Sequence, residues 1–257
     1  MFSSAIQPGI VSLFSSTGSD PLSLFSSHSD SSLPSDSFIC LLHDTTCLPY
    51  PSPPATLISP PEQEPEDEET SPSRTLDQTV LHIQSPTLRS TFIRSPPASF
   101  QSADRRMGLA MKHPWIHLQV RNMGREWSFE VGIVDHSGRE GIVRCSTFQK
   151  QPRLKLTSPP LLHLPLAFPS SSSHPLTAWC TLALHLPSLL PHFSSAALTE
   201  ADSEEGTNVG SAPVPSGSFA HVSFVKVYAT CRLRRIWFSE SGPRQTLPRE
   251  FLLYAAD

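Results

Sequence analysis

Four cations cluster near the end of the chain. There the segment HVSFVKVYATCRLRRIWF (221–238) sets Val225, Val227, Ala229, Cys231 and Leu233 in alternation with Lys226, Tyr228, Thr230, Arg232 and Arg234. A period of two is that of a half-buried strand, apolar on one side and polar on the other. After Arg234 the alternation slips by one residue, and Ile236 and Phe238 resume the apolar side. An extra residue at Arg234-Arg235 is what a β-bulge supplies. A rigid strand showing Lys226, Arg232, Arg234 and Arg235 to solvent would present fixed positive charge to an acidic partner.

Other residue types could do different chemistry. His113 and His117 are four apart, which is ligand spacing on a helix, but Pro114 and the alternation around them specify a strand. They are therefore expected to be exposed polar residues. GxGxxG and GxxxxGK[ST] have no match, and the paired acids fall in Ser/Pro-rich stretches that hold no fixed geometry. The chain is expected to be a non-enzyme with no catalytic residues, metal or cofactor. Cys40, Cys47, Cys145, Cys180 and Cys231 contain no CxxC pair, and the last three sit in apolar runs as small hydrophobes. Trp115, Trp127, Trp179 and Trp237 lie in or beside strands, where aromatics fill a core or its rim.

The elements that must position these residues read as short strands. Val80–Ile83 and Leu88–Arg94 are expected to pair across Ser85-Pro86. Trp115–Val120, Ser128–Val134 and Gly141–Ser146 are separated by turns at 122–125 and 135–138 and read as a three-stranded meander. Trp179–Leu186 is a later strand, expected to bury Cys180, Leu182, Leu184 and Leu186. No stretch has a sustained helical period, so the expected fold is an all-β antiparallel β-sandwich.

Charge is partitioned along the chain. Residues 26–75 carry nine acids and one base, and residues 194–217 carry four acids and no base. The net charge of −4 therefore leaves +8 on the other 183 residues. The domain is expected to run through 1–25, 74–193 and 218–257. Disordered acidic inserts are expected at 26–73, ending in EQEPEDEE (62–69), and at 194–217. The patch Phe38–Leu42 is the exception and reads as a remnant strand. The N-terminus lacks the basic region of a signal peptide, and no run of about 20 apolar residues exists to span a membrane. A soluble, intracellular protein with negatively charged partners is the expectation.

Several ordered motifs carry a family resemblance. Met1-Phe2, Gln7, Gly9, Leu13, Gly18 and Pro21-Leu22 open the chain. LAMKHPWIHLQVRN (109–122), WSFEVGIVD (127–135) and STFQKQPRLK (146–155) follow, then VKVYATCRLRRIWFSE (225–240) and LPREFLLY (247–254). In these segments the chain resembles the cilia- and flagella-associated protein 20 family. The resemblance implies a β-sandwich reminiscent of carbohydrate-binding modules and a structural role in motile cilia. It places members at the inner junction of axonemal doublet microtubules, touching tubulin beside a parkin co-regulated family protein, with basal-body and nuclear roles also attributed. Tubulin is acidic, so the resemblance implies partner-binding by Lys226, Arg232, Arg234 and Arg235, with Arg121, Arg125 and Arg144 as a second basic group.

Two other functions fit the same residues: a nuclear nucleic-acid module using the basic face, and a glycan-binding sandwich using Trp115 or Trp237. The chain departs from the family at 26–73, where an acidic stretch replaces a basic strand-forming segment and leaves a sheet edge to be covered. It also departs at 158–176, which is swollen relative to the family pattern.

Overall fold

The computed structural model describes residues 7–49, 79–97, 108–168, 179–199 and 213–253. Thirteen strands are found among them. They are β1 (Ile10–Ser15), β2 (Ser26–His28), β3 (Phe38–His43), β4 (Thr79–Gln84), β5 (Phe92–Ser95), β6 (Trp115–Asn122) and β7 (Ser128–Asp135). There follow β8 (Glu140–Ser146), β9 (Arg153–Lys155), β10 (Leu161–Pro165), β11 (Trp179–His185), β12 (Phe219–Tyr228) and β13 (Cys231–Ser239). No described helix is long and apolar enough to cross a membrane.

The strands form two sheets. The first has the order β11-β6-β13-β4-β3, and β1 continues alongside β13 where β4 stops. The second runs β2-β5-β12-β7-β8-β10-β9. Apolar residues of one parity meet between them. Leu81, Ile83, Ile116, Leu118, Val120, Cys231, Leu233, Ile236 and Phe238 come from the first sheet, and Ile93, Phe129, Val131, Ile133, Val143, Val225 and Val227 from the second. The fold is thus an all-β sandwich, and nearly every pairing is antiparallel. The exception is β10, which lies parallel to β8 and antiparallel to β9.

Three expected arrangements are corrected. β4 and β5 do not pair; the chain passes from the first sheet to the second at the Ser85-Pro86 turn. Nor do residues 115–146 form one meander, because β6 belongs to the first sheet while β7 and β8 form a hairpin in the second. A turn signal marks a reversal, but in a sandwich the returning strand can enter either layer. Finally, residues 26–49 are not a disordered insert. β2 caps the second sheet beside β5, and β3 pairs with β4 over six residues, so this segment covers both edges. The expected remnant strand at Phe38–Leu42 is β3.

The rest of the first acidic stretch (50–73) and residues 200–212 lie outside the described residues. In the second stretch, Ala196–Leu198 is a 3-10 turn. The swollen segment 158–176 contributes β10, whose Leu162 is fully buried. Leu186, in the 3-10 turn that follows β11, is fully buried, but Cys180, Leu182 and Leu184 on β11 are half-buried, because this strand is the sheet edge.

Candidate functional site

β13 is the centre of the first sheet, and all nine of its residues are buried. The bulge lies where the alternation slips: the β13–β6 register shifts between Leu233 and Arg235, leaving Arg234 as the extra residue. The three arginines, however, do not reach solvent. Arg232, Arg234 and Arg235 are only 6–7% exposed. Two segments cover their side of the sheet: the loop after β3 and the C-terminal segment around the 3-10 turn Arg249–Phe251.

Arg232 faces Asp44 from that loop. Its guanidinium donates to the Asp44 carboxylate at 2.6 Å, to the Asp44 carbonyl at 2.7 Å and to Cys47 Sγ at 2.9 Å. The same carboxylate accepts from Arg121 at 3.0 Å and from Trp179 Nε1 at 2.8 Å. Burial works against the Arg232 charge, but Cys47 and Asp44 outweigh it and push its pKa up. Arg234 donates to Gln119 Oε1 (2.8 Å) and to the Leu252 and Glu250 carbonyls (2.9 and 3.1 Å), while Gln119 donates to the Phe251 carbonyl at 2.5 Å. Burial, with Arg235 adjacent, pulls Arg234 down to about 10, still cationic at neutral pH. Arg235 lies 4.8 Å from the Phe251 ring centroid.

The motif CRLRR is therefore a clamp for the chain's own C-terminal segment. The expected single strand over 221–238 is two strands, β12 and β13, in different sheets, so Lys226 does not share a face with the three arginines. The alternation separates the two sides of each strand but carries no information about which sheet the strand joins or what covers its polar side. Trp237 is fully buried, edge-on to Phe251 (5.2 Å) and stacked on His117 (4.8 Å), so it cannot stack a sugar. Trp115 is half-buried against His185, 4.7 Å away. His113 and His117, expected at the surface, are each 3% exposed. His113 contacts the Pro8 carbonyl and Met111 Sδ, and His117 contacts Ser239 Oγ at 2.9 Å. Burial lowers His117 to about 4.

The outer side of the second sheet is arranged differently. Register partners place Ser26, Arg94, Lys226, Glu130, Arg144, His163 and Arg153 side by side across all seven strands. This row holds four permanent cations and one acid. Lys226 Nζ sits 3.6 Å from the Phe92 ring centroid and 4.5 Å from that of Tyr228. Arg94 lies 4.9 Å from the Phe224 ring, and the side chain of Arg144 is 32% exposed. Arg144 Nε donates to Glu130 at 2.7 Å, and the Tyr228 hydroxyl joins that pair. Burial, aided by Glu130, raises the Tyr228 pKa; burial lowers that of Lys226, with Glu130 opposing.

An aromatic row flanks the cations on one side: His28, Phe92 and Tyr228, with His28 stacked on Phe92 at 5.2 Å. On the other side run Phe224, Gly132, Ile142 and Leu161. Gly132 is required there, since a Cβ would come within 2.6 Å of the Phe224 ring.

Of the seven expected partner-binding residues, then, the structure brings Lys226 and Arg144 into one half-exposed row. Arg232, Arg234 and Arg235 are withdrawn beneath the C-terminal segment and the 44–47 loop. Arg121 is tied to Asp44, and Arg125 is exposed in the β6–β7 turn, beside a cavity of about 510 Å³ that His82 and Glu126 also line. Sequence reasoning missed Arg94 and Arg153, because their common row exists only through non-local register.

Residues 69–203 match the CFA20 domain family. Cilia- and flagella-associated protein 20 of Chlamydomonas reinhardtii is 27% identical over 180 residues, which covers 70% of this chain and 75% of that protein. The Paramecium tetraurelia protein of the same name is 24% identical over 180 residues, with the same coverage. The Caenorhabditis elegans protein is 24% identical over 176 residues, 68% of each chain. The family match spans β4 to β11 and just over half of the sequence, and the chain belongs to the CFA20 domain family.

Proposed function

We propose that this chain is a non-catalytic structural protein of cilia and flagella that docks on tubulin at the inner junction of axonemal doublets, beside other junction proteins such as a parkin co-regulated family member. The observation that carries the reading is membership of a family whose relatives here are all named as cilia- and flagella-associated proteins.

The site geometry supports a binding role rather than an acid-base one. Glu130 is held by Arg144, and Asp44 by two arginines and Trp179. Asp135 accepts four backbone N–H bonds, from Ser137, Arg139, Ser216 and Gly217, at 2.8–3.1 Å. Carboxylates committed in this way are structural pins and have no open side for a substrate proton. The accessible charge is cationic, as an acidic lattice partner requires. Each exposed pair contributes only about 0.2–1 kcal/mol, so stable attachment comes from several contacts repeated along a polymer.

The test is to tag the chain in ciliated cells and fractionate axonemes after detergent extraction. The reading predicts enrichment along cilia and retention with the doublets. A protein found in cytosol or nucleus and absent from cilia would refute it.

A further inference from the structure

We infer that the cationic row of the second sheet is a docking groove for an extended, glutamate-rich polypeptide that lies across the strands. This deepens the tubulin-docking reading and rests on it for the partner being acidic; the surface and the partner's form come from the structure.

The row crosses seven strands. From Arg94 on β5 to Arg153 on β9 there are five strand intervals, or roughly 24 Å at about 4.8 Å each. An extended chain advances about 3.3 Å per residue, so about seven residues cover that distance. Alternate side chains of such a segment fall on one side at about 6.6 Å, between one and two strand spacings. The two lattices need not match residue for residue, because Arg94, Lys226 and Arg144 have long side chains.

The cations are held in place before binding. Lys226 lies on the Phe92 and Tyr228 rings, Arg94 on Phe224, and Arg144 is oriented by Glu130. Charges already ordered lose less rotamer freedom when a carboxylate arrives. The flanking rows add ring and apolar surface on both sides: His28, which is exposed, and Phe92 on one, Ile142 and Leu161 on the other, the last three partly exposed. Phe148, 40% exposed, packs against His163 at the β10 end of the row. Another carboxylate of this side, Glu140, stands two rows from Arg144 and is bonded to Ser223.

A nucleic acid suits the row less well. The Phe92 and Tyr228 rings that could stack bases are occupied by Lys226.

The experiment titrates the full-length protein into a fluorescent ten-residue oligoglutamate peptide, reading anisotropy at several salt concentrations. The wild type should bind at low salt and weaken as salt rises. The variant R94E/K226E should bind about tenfold more weakly or worse, the effect of reversing two contacts of ordinary strength. R89E/R244E, with the same change in net charge at two exposed sites off the row, should bind as the wild type does. If R94E/K226E does not fold, amide shifts of the wild-type protein on adding peptide replace it, and they should concentrate at Arg94, Lys226, Arg144 and their strand neighbours.

No binding by the wild type, equal loss in R89E/R244E, or shifts confined to other surfaces would overturn the groove. So would tighter binding of a ten-nucleotide RNA. Ciliary retention of a protein that fails to bind the peptide would sink the groove alone. Peptide binding by a protein absent from cilia would keep the groove and sink the ciliary reading.

Discussion

Asp44 links three strands of the first sheet through one carboxylate: it accepts from Arg232 on β13, Arg121 on β6 and Trp179 on β11. It comes from the stretch whose composition reads as a disordered acidic insert, and composition cannot tell which acid of nine finds a buried guanidinium. Removing it leaves a 6%-exposed arginine without its carboxylate, and the loss of one member of a buried pair costs about 3–5 kcal/mol. Asp44→Ala should therefore lower stability by about 3 kcal/mol in urea unfolding; a change under about 1 kcal/mol would show that Arg232 is satisfied without it. The buried histidines give a pH signature. His117 is held neutral down to about 4, and burial also lowers His82 and His221. Their folded pKa values lie below the unfolded value of about 6.5, so the stabilisation is full above pH ~6.5 and is lost as pH falls toward ~4. The urea midpoint should be flat from about pH 7 to 8 and decline below about 6.5, and NMR should show the His117 ring not titrating near 6.5. A His117 titration near 6.5 would contradict its burial.

At the scale of elements, β13 shows what a pattern can and cannot reveal. Its alternation, bulge and inward set of Cys231, Leu233, Ile236 and Phe238 are legible in the sequence because they follow from local period. The fate of its outward arginines is not, because the covering segment returns from ten or more residues away. Likewise β4 and β5, or β6 and β7, are recognisable as strands from their own residues, but the sheet each joins is decided by partners elsewhere in the chain. The clamp yields a prediction for the C-terminal segment. Phe251 packs on Trp237 and beneath Arg235, and its carbonyl accepts from Gln119. Phe251→Ala should cost about 3 kcal/mol and shift tryptophan emission to the red as Trp237 gains water. Unchanged stability and emission would mean that the segment does not seal this side. For the same reason Arg232→Glu with Arg234→Glu should unfold the protein, seen as loss of the far-ultraviolet β signal. A folded double variant would contradict the burial of both guanidiniums.

For the molecule as a whole, the charge partition read from the sequence survives in a changed form. The basic excess of the core is divided between the two outer faces. On the first sheet it is spent internally, on Asp44 and on backbone carbonyls of residues 250 and 252. On the second it stays half-exposed as a row that no local stretch of sequence displays, since Arg94, Lys226, Arg144 and Arg153 come from four separate strands. The docking face we propose is thus the side of β12, with Lys226, rather than the side of β13. The measurement that tests this most directly is co-sedimentation of the full-length protein with stabilised microtubules across a salt series, with R94E/K226E beside the wild type. The account predicts saturable wild-type binding that weakens with salt, and binding about tenfold weaker for the folded variant. Absence of wild-type binding at low salt, or equal binding by the two proteins, would contradict it.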